Sequence, residues 1–451
     1  MNRVLRVLRV LSVLSVLWAT GELSAQHRPR TITFDEAVKI ALTQNATLRQ
    51  ASNAASLDAV AVQQAKMQFL PDLRLSAQTA QNFGRTFSEA EGRTLNETTQ
   101  SINTGVSSSV VLFNGFANLA ELREAQLAQD AGDRDLVRAR QTAVLAVASG
   151  YLALGQQREE LRVRQQTRAA EEALEREISA YVDAGVRTIA DLYQQQATVA
   201  AARLAVVEAS RAAELAEIEI IQTLQLDPRG AYEFLVPISD TSALGALPSD
   251  LDALVDRALT RRVDVSADEA RQNAAEQAIR AARAALWPAI SLSAGYNTGF
   301  TTANELAFYD QLDQRRGGSV SVGVSIPLFD RGATSVASQR AQIQAENARI
   351  ALQVQRQDVG VEVRRAYLDL STAHERLHAT LAQERAATLA LEASEERYRV
   401  GAATLVELTQ ARASHVRAVS SLVSARYNLL LQRTLLSYYV GDLDPGTVTL
   451  R

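Results

Sequence analysis

Arg397-Tyr398-Arg399-Val400-Gly401-Ala402-Ala403-Thr404 stands between two long runs of helical periodicity. Before it, Val363, Tyr367, Leu370, His374, Leu377 and Leu381 alternate steps of four and three; after it, Leu408, His415, Leu422, Leu429 and Leu436 recur every seven residues. Such a period marks a seam along which two helices pack over many turns. Glycine takes the left-handed backbone that closes a helix, so Gly401 ends the first arm. From Gln339 to Leu436 the chain therefore reads as one helical hairpin.

The hairpin occurs twice. At an offset of 216 residues, Gly185 stands for Gly401, Asp191 for Glu407 and Tyr151-Leu152 for Tyr367-Leu368. Leu192, Val199, Val206, Ala213 and Ile220 match the five heptad positions after Gly401 one for one. A duplication of this kind constrains the fold more than any short motif.

Working outward, each hairpin is preceded by a stretch of period two. Leu73, Leu75, Ala77 and Thr79 alternate with Arg74, Ser76, Gln78 and Ala80; Ile102, Thr104, Val106, Ser108, Val110 and Leu112 follow after a polar loop. In the second half Ile290, Leu292, Ala294 and Tyr296, then Val320, Val322, Val324, Ile326 and Leu328, alternate with serine, glycine and asparagine. Strands of about ten residues with one apolar and one small or polar face suit a membrane β-barrel. Leu70-Pro71 and Trp287-Pro288 stop the preceding helices, since the residue before proline is driven to extended backbone. Thr33-Phe34-Asp35-Glu36 is a capping box opening the first repeat, and Ser249-Asp250-Leu251-Asp252 opens the second.

The expected organisation is a signal peptide 1–25, a first repeat 26–223 with strands 72–83 and 101–113 and a tip at 185, and an equatorial linker 224–250. A second repeat 251–436 follows, with strands 289–299 and 319–329 and a tip at 401, and then a C-terminal equatorial segment 437–451. The leader reading rests on Arg3, Arg6 and Arg9, the apolar run Val10 to Leu17, and small residues at Leu23-Ser24-Ala25. Losing residues 1–25, with three arginines and one glutamate, moves the formal net charge from −4 to −6. No basic domain remains to bind nucleic acid. The chain has no cysteine, so packing or association, not disulfides, must stabilise an exported protein.

Helix lengths set the architecture. The descending arm from Ala117 to Val182 covers roughly 100 Å at 1.5 Å per residue, and the return from Thr188 to Thr223 roughly half that. Two short arms stacked end to end match one long arm. Four strands cannot close a barrel with a lumen, and lipid does not tolerate an open edge, so several copies must combine. The fold class is α+β: long helical hairpins forming a periplasmic α-barrel, and four strands per subunit contributing to a shared β-barrel.

These features together resemble the TolC-type outer-membrane efflux channel family, the outer membrane factors. The residues carrying the resemblance are Thr33 to Val38 with Ala41-Leu42 and Asn45, Leu112-Phe113-Asn114-Gly115, Pro327-Leu328-Phe329-Asp330, Ala366-Tyr367-Leu368-Asp369-Leu370, and the tips at Gly185 and Gly401. The resemblance implies a homotrimer with a twelve-stranded barrel in the outer membrane of a Gram-negative-type bacterium. It implies a passive exit duct of a tripartite efflux or type I secretion system. A periplasmic adaptor (membrane fusion) protein would couple it to an inner-membrane resistance-nodulation-division or ABC transporter. Gly185, Val186, Gly401 and Ala402 then map to the adaptor-binding tips, and Asp191, Tyr398, Glu407 and Gln410 to the pore gate. Gln410 stands where the family carries a second acid, and Ala403 where it carries an arginine.

Two other readings compete with this one. His374-Glu375-Arg376-Leu377-His378 spells the H-E-x-x-H of zinc hydrolases, with two imidazoles on one helix face. It lies inside a heptad rod with no third ligand evident, so neither a catalytic residue nor a metal or other cofactor is expected. A purely structural coiled-coil scaffold does not account for the strand pairs or the leader. Phe69, Phe113, Trp287 and Phe329, near strand ends, suit an interfacial aromatic girdle.

Overall fold

A computed structural model of the chain describes residues 29–88, 92–96, 98–236, 247–248 and 250–443. The expected leader lies outside them, as do parts of the linker and of the C-terminal segment. In chain order the elements are β1 (Arg30–Thr33), α1 (Phe34–Gln44), α2 (Ala46–Met67), β2 (Arg74–Asn82), β3 (Arg85–Ser88), β4 (Arg93–Asn96) and β5 (Thr99–Asn114). Then come α3 (Ala117–Asp183), α4 (Ile189–Leu224), β6 (Tyr232–Leu235), α5 (Leu251–Arg261), α6 (Val263–Ala284), β7 (Ala289–Thr301), α7 (Phe308–Gln314), β8 (Gly317–Ser325), α8 (Ala333–Arg399) and α9 (Leu405–Val440). They form two compact units, residues 50–139 with 256–361, and residues 1–49 with 140–255 and 362–451.

The first of these holds an antiparallel sheet in the order β2-β5-β7-β8, so the two strand pairs join through β5 and β7. Its register gives each face one character. Leu75 lies opposite Val106 and Val106 opposite Tyr296; Val110 lies opposite Leu292 and Leu292 opposite Val322. On the other face Gln78 meets Asn103 and Asn103 meets Gly299, while Ser109 meets Ser293 and Ser293 meets Ser321. A bulge between Val111 and Phe113 flips the parity, keeping Phe113 opposite Ile290 on the apolar face. Strand β8 ends at Ser325, short of the expected 329, because Pro327 has no N–H for a ladder. The polar loops contain structure that alternation does not reveal: the β3–β4 hairpin, and α7, whose Gln311 is fully buried and ties Thr301, Asn304 and Leu306.

In the same unit the helices approach through small side chains, with Ala131, Ala267 and Ala270 buried against one another. The helical stretch that opens the second repeat at 251 and runs up to β7 is two helices, broken at Arg262 in extended backbone. Arg262 is buried and its guanidinium grips Asp264 at 2.5 Å, a side-chain anchor in place of a proline or glycine signal. The equivalent position in the first repeat is Asn45, which also separates two helices. Asp250 accepts the Ala253 N–H that opens α5, and Ser249 lies outside the described residues.

The other unit is organised around Tyr151, which is wholly buried. Its ring meets Phe34 and Phe234 edge-on at 5.6 and 6.0 Å, and its hydroxyl donates to the Ile32 carbonyl at 3.1 Å. Around it β1 and β6 pair in parallel, Ile32 opposite Phe234, with Val147, Ile220, Leu224 and Leu443 completing the core. β1 opens the expected first repeat and β6 lies in the expected linker, and the sequence declares neither, since four residues are too few for a period to show. Helix α9 continues to Val440, past the boundary at 436. The buried seam of α8 is Val363, Ala366, Leu370, Ala373, Leu377 and Thr380. Val363, Leu370 and Leu377 are the expected positions, while the alternate ones fall one residue earlier, because close helix approach selects the small residue over Tyr367, His374 and Leu381.

Candidate functional site: the paired hairpin tips

Both hairpins end in the same local geometry. Gly185 and Gly401 have φ of +73° and +74°, with open space where a Cβ would sit. Val186 N–H donates to the Tyr181 carbonyl at 2.8 Å and Ala402 N–H to the Arg397 carbonyl at 2.7 Å, closing each helix in a left-handed cap. Thr188 and Thr404 then cap the returning helices by accepting from Asp191 N and Glu407 N, each at 3.2 Å.

The acids differ from here on. Asp191 closes a reciprocal box by accepting from Thr188 N at 3.3 Å. Glu407 turns away to Arg397, whose guanidinium lies 3.4 Å off and also donates to the Ala402 carbonyl. Gln410 is exposed one turn on. Tyr398 is buried among Leu174, Ile178, Leu405 and Leu408, where side chains of both hairpins meet. Arg187 lies over its ring at 4.5 Å from the centroid. Burial pushes the Tyr398 phenol up from its usual value, with the Arg187 charge opposing, and its hydroxyl has no hydrogen-bond partner among the described residues. The outer surface of the tips carries exposed Val186, Ile189, Val400 and Val406.

Above the tips sits a polar cluster that periodicity alone passes over. Gln195 is fully buried and donates to the Glu171 carboxylate at 2.6 Å and backbone carbonyl at 3.1 Å. Arg412 donates to Glu395 at 2.9 Å and lies 3.7 Å from Glu171. The sequence does hold a signal: Gln195 falls between Leu192 and Val199 at a seam position, where a polar residue must be buried.

The His374 and His378 rings meet edge-on with centroids 4.6 Å apart, and the Glu375 carboxylate lies 3.7 Å from His374 Nδ1. Among the described residues no group of three or more metal-ligating side chains gathers there or elsewhere. Nor is any helix among them long and apolar enough to cross a membrane, a test that does not address strands.

The family model described as "Outer membrane efflux protein" matches residues 37–224 and 254–442, one stretch in each repeat. Outer membrane efflux protein BepC of Brucella suis is 26% identical over 77% of this chain and 74% of its own length. Pyoverdine export outer membrane protein OpmQ of Pseudomonas aeruginosa is 26% identical over 75% of this chain and 70% of its own. The solved structure of CusC superposes with a TM-score of 0.80 at 17% identity, covering 94% of this chain and 95% of that one. The outer membrane protein VceC of Vibrio cholerae gives 0.76 at 17% identity, over 90% and 96%. Both structures share the fold described above.

Proposed function

Because the chain belongs to the outer membrane efflux protein family, we propose that this outer-membrane exit duct works as a passive homotrimer within a tripartite efflux or type I secretion system. An inner-membrane pump would drive it and a periplasmic adaptor would join the two. The family and its structural neighbours are channels, not enzymes.

One observation carries the trimer: the four-stranded sheet has one predominantly apolar face and, among the described residues, β2 and β8 each pair on one side only. Valines 320, 322 and 324 on β8 and Leu75 on β2 stand exposed. An unpaired strand edge is not tolerated in lipid, and an apolar sheet face is not left open to water, so the edges must pair and the face must be covered. Joining β8 of one copy to β2 of the next, three times, closes twelve strands. The serine, glycine and asparagine face then lines the lumen, and exposed Phe69, Trp287 and Phe329 lie at the lipid boundary.

The helices support the same closure. Hydrogen bonds order them α4, α3, α9, α8: Arg203 to Glu172, Ser420 to Glu160, and Arg412 to Glu395. The outermost two carry exposed apolar side chains, Leu204, Val207 and Ile218 on α4 and Leu368 and Leu389 on α8. These two stripes would cover each other between copies.

At the tips, Gly185, Val186, Gly401 and Ala402 serve as adaptor docking points, supported by the exposed valines around them. Asp191, Tyr398, Glu407 and Gln410 form the gate, with Tyr398 acting from inside the tip as the residue that Arg187 clamps, and Glu407 with Gln410 presented outward. Heat-sensitive trimers in purified outer membrane, conducting in planar bilayers, are the expected result. A monomeric detergent particle without β signal would sink the proposal.

A further inference from the structure

The helices α3, α4, α8 and α9 together line a groove of about 750 Å³. Its floor and walls are mostly alanine, serine and threonine, and its charged residues are Glu160, Arg164, Glu171, Arg376, Arg412 and Arg417. The two acids are already answered: Arg164 holds Glu160 at 2.6 Å, and Arg412 lies 3.7 Å from Glu171. Arg376 and Arg417 are exposed in the groove and make no ion pair among the described residues. The fold does not require arginine at either place. At the repeat offset of 216, Arg376 corresponds to Glu160 and Arg417 to Ala201, on the same helical framework.

We propose that this groove is a binding site for small multivalent anions, di- and tricarboxylates or phosphates, with Arg376 and Arg417 as the principal ligands. The chemistry follows from the groups present. A guanidinium presents a planar fork of donors that matches a carboxylate or phosphate two bonds at a time, and it stays charged at any working pH. Two uncompensated guanidinium groups in one concave surface add their fields, and the lining hydroxyls of Ser421 and Ser424 offer neutral donors beside them. Small alanine walls leave the space open. As a statement about transport the site rests on the duct reading and assigns that duct anionic cargo; as a binding site it does not depend on it.

The test uses the full chain in detergent at low ionic strength, with citrate as the probe in titration calorimetry. Saturable binding is expected for the natural chain, weakened about tenfold or more in the Arg376→Gln/Arg417→Gln variant and largely kept in the Arg376→Lys/Arg417→Lys variant, because charge supplies most of the attraction and only part of the geometry is lost. Absence of saturable binding, or equal binding by the glutamine variant, overturns the site. Bilayer conductance of the same preparations separates the two readings. Citrate binding without any pore leaves the groove standing and removes the duct; a pore indifferent to citrate, with no binding, does the reverse.

Discussion

The Arg187 guanidinium sits 4.5 Å from the centre of the Tyr398 ring, and so one hairpin tip is clasped to the other by a cation and an aromatic face. A contact of this kind contributes about 0.5–2 kcal/mol. The Tyr398 hydroxyl contributes nothing comparable, being buried and unpartnered. Arg187→Ala is therefore expected to loosen the tips and raise single-channel conductance, whereas Tyr398→Phe leaves both conductance and stability nearly unchanged or slightly improves the latter. Equal conductance changes in the two variants would place the link in the hydroxyl instead of the ring.

Arg412 offers a sharper energetic contrast. Its side chain is 17% exposed and its partner Glu171 6%, so Arg412→Ala strands a buried carboxylate that Gln195 alone cannot neutralise. Loss of about 2–4 kcal/mol follows. Arg203, 63% exposed and 3.0 Å from Glu172, makes a solvated pair whose removal costs under about 1 kcal/mol. Melting of the two alanine variants against the natural chain measures the difference; matching melting temperatures would mean that Glu171 is not effectively buried.

Two glycines with the same backbone sign separate strain from crowding. At Gly401 (φ +74°) an added Cβ meets nothing, so Gly401→Ala should cost only about 1 kcal/mol, the penalty of a left-handed alanine. At Gly115 (φ +66°) the same atom would come within 2.4 Å of the Ala284 carbonyl oxygen and 2.7 Å of Trp287 Cβ. Gly115→Ala should add about 1–3 kcal/mol of overpacking to that penalty and markedly lower the yield of folded protein. Comparable yields of the two variants would show that the backbone around Trp287 yields more easily than its packing implies.

Much of this was legible in the chain. Glycines at a fixed offset announced both tips, and strict alternation announced the four sheet strands, because period two and a left-handed turn are written in single residues. The sequence did not reveal the parallel pairing of Ile32 with Phe234, since strands of four residues carry no period. Nor did it reveal the helix break at Arg262, made by a tertiary ion pair where proline or glycine would have been visible. At the tips the threonine caps could be read locally, but the Arg187–Tyr398 contact joins residues of different hairpins, and no spacing rule connects them.

Tyr151 links the core to pH. Burial pushes its phenol well above the ordinary tyrosine value, with nearby Glu36 pushing the same way. A raised folded-state pKa means the native chain keeps this proton where the unfolded chain releases it. The stabilisation is therefore complete below about pH 10, the unfolded value, and is lost as pH rises beyond it. The melting temperature should fall steeply above that point. Tyr151→Phe should lose about 1 kcal/mol at neutral pH, from the hydrogen bonds to the Ile32 and Thr33 carbonyls, and show a shallower alkaline decline. An unchanged alkaline slope in the variant would assign that decline to other groups.

The outward stripes of α4 and α8 test assembly without touching the sheet. Leu389 and Leu204 are each 59% exposed on the outermost helices, so a change there has little reason to disturb the fold of one subunit. Burying each between copies would contribute roughly 1–2 kcal/mol per leucine, taken three times over in a closed ring. Leu389→Glu should leave helical content intact while shifting trimers toward smaller species, because a carboxylate at a covered position must be desolvated without a partner. Leu204→Arg in the same chain supplies an opposite charge on the facing stripe, and partial recovery of trimers is expected if the two helices meet. Sedimentation of the single and double variants reads this directly; if the double variant is no better assembled than Leu389→Glu alone, α8 packs against something other than α4 of the next copy.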